Sequence, residues 1–87
     1  MMIYKGGNGL NPNEAVTIIG ATDELEGIDS EFIWIEEKYG DQDNDWELID
    51  QKLFEVEGIK YDQLRIKLLN GEIKEIWFDI TDFYGKE

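Results

Sequence analysis

The sequence predicts an α+β domain of order β-α-β-β-β, with one helix packed on a mainly antiparallel sheet that ends in a three-strand meander. Three observations carry this: a β-branched run near the start, a single stripe of apolar residues at helical spacing, and three later stretches that alternate with period two. Its 87 residues fall short of the roughly 150 of a typical domain, so residues 1–87 are read as one unit.

Met1 to Asn13 holds Ile3 and Tyr4, then a glycine- and asparagine-rich loop ending near Pro12, which reads as a short extended segment and a loop. Gly7-Asn8-Gly9 lacks the third glycine of a dinucleotide loop and any following Gly-Lys-Ser/Thr. Phosphate cradling is therefore not assigned to it. Ala15 to Ile19 is β-branched, closes at Gly20, and reads as the first strand. Its place in the sheet is left open. From Thr22 to Tyr39, Leu25, Ile28, Phe32, Ile35 and Tyr39 fall at steps of three and four, with Gly40 as the stop. Gly27 weakens the first turns, so Asp29 or Ser30 offers a later start. Ile33 and Trp34 lie off this stripe.

After an acidic loop, Trp46 to Val56, Ile59 to Leu69 and Ile73 to Thr81 read as strands separated by Glu57-Gly58 and Asn70-Gly71. A two-residue first turn pairs Phe54 with Tyr61, Asp50 with Arg65 and Ile49 with Ile66. A three-residue second loop, Leu69-Asn70-Gly71, pairs Leu64 with Ile76 and Arg65 with Glu75, and only this register keeps the two apolar faces together. Phe54, Tyr61 and Trp77 then share the face away from the helix, with Trp77 diagonal to Arg65 so that a guanidinium can lie over the indole. This aromatic face needs a cover. The N-terminal segment, the Phe83-Tyr84 tail, a second subunit and a partner are the candidates.

Composition narrows function more than any motif does. There are 21 acids and 8 bases, a net charge of −13, which repels nucleic-acid phosphates and disfavours direct binding to them. The chain has no cysteine and no histidine, removing thiolate nucleophiles, disulfides, sulfur-ligated zinc and the usual general base. No cofactor is expected, no apolar run is long enough for a membrane span, and a cytoplasmic location is the default. Asp41, Asp43 and Asp45 alternate like the opening of a calcium loop. Trp46 stands where that loop needs glycine and Lys52 where it needs glutamate, so no metal site is assigned.

Between Asp23 and Asp45 ten acids face one base, Lys38, a net charge of −9. Glu24, Glu31, Glu36, Glu37, Asp41, Asp43 and Asp45 are read as an acidic face able to steer a basic protein partner. Phe54, Tyr61, Arg65 and Trp77 are the candidate contacts on the sheet. The function expected is a non-catalytic protein-interaction module rather than an enzyme. The alternatives are a carboxylate- or divalent-cation-dependent enzyme or ligand-binding domain, and a subunit that homodimerises through its sheet.

Overall fold

The computed structural model describes residues 2–86, so Met1 of the expected lead-in lies outside it. In chain order the elements are β1 (Ile3–Gly6), a 3-10 turn (Pro12–Glu14), β2 (Val16–Ile19), α1 (Glu24–Tyr39), β3 (Trp46–Val56), β4 (Ile59–Leu68) and β5 (Ile73–Asp79). The helix packs on one face of a sheet of order β1-β2-β5-β4-β3. Only β2 and β5 pair in parallel; every other neighbour is antiparallel. The expected α+β class and meander are present. The short lead-in supplies a further strand, because β1 runs antiparallel to β2 from Ile3 opposite Ile19 to Gly6 opposite Val16.

Both turns of the meander follow from local chemistry. Glu57 and Gly58 have φ of 52° and 83°, the paired positive angles of a twist-matched two-residue hairpin. At the next turn Gly71 has φ 87°, its N–H reaches the Leu68 carbonyl at 2.9 Å, and the Leu68 N–H reaches the Glu72 carbonyl at 2.8 Å. Leu64 opposite Ile76 and Arg65 opposite Glu75 follow from that closure.

One expected pair is corrected. Ile66 faces Leu48 and not Ile49, because β3 carries a bulge between Leu48 and Asp50. With Asp50 outward, strict alternation would also turn Leu48 and Trp46 outward. The extra residue reverses the parity, so Trp46 and Leu48 face the helix. Trp46 is buried, donates its indole N–H to the Gly40 carbonyl at 2.7 Å and stacks near Phe32. Ile49 takes the exposed position.

Helix α1 begins later than Thr22 and without the Asp29 or Ser30 caps. Asp23 is the N-cap, its carboxylate accepting from the Glu26 N–H at 2.8 Å, while Glu26 reaches back to the Thr22 N–H at 3.0 Å. These contacts satisfy two amide donors around the helix start, in the manner of a capping box. The fully buried residues are Gly27, Ser30, Glu31 and Ile35, while Ile28, Phe32 and Tyr39 of the predicted stripe pack half-buried against the core, so that of this stripe Leu25 alone lies outside. Leu25 is 69% exposed. The buried face widens toward Gly27, where a Cβ would lie 2.5 Å from the Phe83 ring, so the absence of a side chain lets that ring fill the space under the first turns. Trp34, off the predicted stripe, meets Phe78 edge-on at 5.6 Å.

The C-terminal residues close this end of the core. Phe83 is 1% exposed. The Lys86 carbonyl accepts from the Glu24 N–H at 3.2 Å, occupying an amide at the helix start that has no partner within the helix. The tail therefore lies with the helix and does not cover the aromatic face of the sheet.

Candidate functional site

Three surfaces and one buried pair emerge from this frame. On the face of the sheet away from the helix, register places Phe54, Tyr61 and Trp77 together. Trp77 lies 5.1 Å from Phe54 and 6.0 Å from Tyr61 between ring centroids, in tilted and edge-on geometries that aromatic quadrupoles favour. Each ring is half-buried, and Gln63, between Lys52 and Trp77 in the ladder, is 6% exposed. The rings thus shield one another and their own strand.

Arg65 belongs to the same face but does not lie over Trp77, which corrects the expected cation–π contact. Its Nε donates to Asp50 Oδ1 at 3.1 Å and its Nη2 meets Asp50 Oδ2 at 3.0 Å. A two-pronged bond to a carboxylate fixes the planar guanidinium more firmly than a ring face would. The cations found over rings are Lys38 on Trp34 and Lys60 on Tyr84.

The second surface is the solvent side of α1. Leu25, Asp29, Ile33 and Glu36 follow one another at steps of four, four and three, and all are exposed, with Glu24, Glu26 and Glu37 exposed around them. Ile33 is 49% exposed. Two large apolar side chains therefore stand among carboxylates, about 12 Å apart along the axis at 1.5 Å per residue. The sequence reading found the acids and missed the apolar pair, because it assigned Leu25 to the core.

The third surface is the loop after the helix. Asp41 and Asp43 are exposed, whereas Asp45 is half-buried and accepts from the Asp41 N–H at 2.7 Å. Asp43 has φ 68°, and its N–H bonds the Trp46 carbonyl at 2.6 Å. The loop's polar groups are spent on closing the turn from helix to strand. Among the described residues no three acidic side chains gather in an arrangement that could hold a metal ion. A groove of about 190 Å³ between this loop and Lys67, Leu68 and Leu69 is smaller than the roughly 300 Å³ from which small-molecule sites start.

Glu31, expected on the acidic face, is instead fully buried at 0% exposure. It points from the helix toward Asp62 of β4, itself 5% exposed, whose Oδ2 accepts from the Gln51 amide at 2.7 Å. Neither Glu31 oxygen has a hydrogen-bond donor. Burial first, then the adjacent Asp62, pushes the Glu31 carboxyl up to about 10. The apolar stripe does not mark such a residue, since position 31 lies between Gly27 and Ile35 on the wheel, at the edge of that stripe, and its chemistry argues for solvent.

The chain matches no protein-family model, and comparison with curated proteins and with solved structures finds no match. No helix among the described residues is long and apolar enough to cross a membrane. The fold and the site define a small α+β domain with an acidic helix face and an aromatic sheet face.

Proposed function

We propose that this domain is a non-catalytic protein-interaction module whose α1 face docks a basic protein partner, with Phe54, Tyr61 and Trp77 as a second contact surface. The observation that carries the reading is the exposed Leu25–Ile33 pair set among Glu24, Glu26, Asp29, Glu36 and Glu37. Charge alone steers encounter and is screened by salt; apolar anchors within the charged field add the area that holds a complex together. The fitting partner presents two apolar groups at matching separation, flanked by Lys or Arg. The carboxylates that could do acid–base work argue against catalysis, since Glu31 and Asp62 are sealed from any substrate. The reading includes a cytoplasmic setting, with which a chain free of cysteine is compatible.

The test is capture from native lysate at low and moderate salt with wild type, a Leu25→Ser/Ile33→Ser variant and a Glu36→Lys/Glu37→Lys variant. The expected result is a basic protein, identified by mass spectrometry, that is released by salt and not retained by either variant. Equal capture by all three, or none by wild type, rejects the proposal. Loss of capture only with Trp77→Ala moves the interface to the sheet, and a wild-type dimer in sedimentation, abolished by Trp77→Ala, replaces the partner by a second copy.

A further inference from the structure

Between helix and sheet, the buried Glu31 faces Asp62 in surroundings that offer it nothing else. From β2 and β5 the groups packed on this side are Val16, Ile18, Ile76 and Phe78, and from the C-terminal tail Phe83, all apolar. From β1, Tyr4 gives its hydroxyl to the Ser30 carbonyl at 2.8 Å; burial above all raises that hydroxyl, so it stays neutral. Lys60 precedes Asp62 on the same face of β4 and is ion-paired with Glu55. On the helix itself, Asp29 is exposed. The other cations found in ion pairs, Arg65, Lys74 and Lys86, are held by Asp50, Glu72 and Asp82. From β3 the amide of Gln51, an exposed residue, donates to Asp62 at the edge of the buried pair.

Two ionised carboxylates are acceptors only, so facing each other they leave Glu31 without a donor and place two like charges in a dry interior. One proton resolves both defects. On Glu31 it creates an O–H donor aimed at Asp62, and Gln51 then satisfies another lone pair of the remaining carboxylate.

We propose that Glu31 and Asp62 share a single proton that latches α1 to β4, and that loss of this proton to solvent at alkaline pH loosens the helix from the sheet. The sign follows from linkage. Below about pH 4.5, the ordinary value of a glutamate, the folded and unfolded chains both carry the proton and the latch imposes no pH dependence. Above it the unfolded chain has released the proton while the folded chain keeps it, so folding grows less favourable by up to tenfold per pH unit, until the folded chain also lets go near pH 10.

Glu31→Gln supplies an N–H donor of similar shape that never ionises. Equilibrium urea unfolding of wild type and this variant at pH 5, 6.5, 8 and 9, at one ionic strength, reads the latch directly. The expected result is a folding equilibrium that moves in favour of the variant as pH rises, by up to about a thousandfold between pH 5 and 8. Whatever constant offset the amide introduces, a wild-type-to-variant ratio that does not change with pH overturns the proposal. Should Glu31→Gln fail to fold, the infrared spectrum of wild type decides. Exposed carboxyls are ionised at pH 8, so a residual protonated-carboxyl C=O band that disappears on unfolding supports the shared proton, and no such band overturns it.

Discussion

Asp62 and Arg65 stand three residues apart on β4 and face opposite sides of the sheet, and each belongs to a charged pair of different kind. Inside, Asp62 meets a second acid, Glu31, with both side chains sealed. Outside, Arg65 meets Asp50 with about a third of each side chain still in water (35% and 36%). Solvent still hydrates the outer pair, which for that reason contributes only about 0–1 kcal/mol. The inner pair has no such hydration, so its energetics are governed by a proton rather than by a counter-ion. The difference lies in cover: α1 and Phe83 close the inner face, whereas on the outer face Phe54, Tyr61 and Trp77 stand half-buried.

Variants can break or sharpen this contrast. The largest effect is expected from Phe83→Ala, which empties the space under Gly27 and exposes the inner pair to water. A loss of about 3–5 kcal/mol in urea denaturation is expected for a buried phenylalanine, large against the roughly 5–15 kcal/mol of an ordinary domain. A loss below 1 kcal/mol would mean that the tail is not what closes the inner face.

Trp77→Ala removes the ring that contacts both Phe54 and Tyr61. Because all three are half-buried, about 2 kcal/mol is expected, less than for Phe83. Tryptophan fluorescence of Phe54→Ala provides the companion measurement, and its emission should shift to the red as water reaches Trp77. An unchanged spectrum would place the indole under some other cover.

Gly58→Ala tests the turn that sets the register of both faces. Nothing stands within 4 Å of the added Cβ, yet φ is 83°, so the cost is backbone strain of about 1 kcal/mol, read as a small fall in melting temperature. A neutral or stabilising result would show that this turn relaxes without loss of register.

Arg65→Met should have the smallest effect, at most about 1 kcal/mol, and the difference from wild type should shrink in high salt. A larger, salt-insensitive loss would make the outer pair as dry as the inner one and end the contrast between the faces.

By itself the sequence determined the period-two strands, both meander turns and the face shared by Phe54, Tyr61 and Trp77, because strand facing and hairpin closure depend on neighbouring residues and on turn chemistry. Local signals also set the helix end at Gly40 and the concentration of acid between Asp23 and Asp45. The packing of α1 through Ile28, Phe32, Ile35 and Tyr39 was legible in the sequence, but tertiary structure alone decided how far the buried face extends beyond them. Gly27 accepts the Phe83 ring from a segment 56 positions along the chain, and the packed face takes in Glu31 while Leu25 stays exposed. The same is true of the bulge at Ile49, which exists because Trp46 and Leu48 must reach a helix that an isolated strand does not see. It is true as well of β1, whose four residues become a strand only through pairing with β2. Glu31 was misplaced for this reason: a carboxylate is assigned to water by its own solvation, and only the assembled core, with Asp62 opposite and no cation at hand, makes a protonated glutamate the cheaper state.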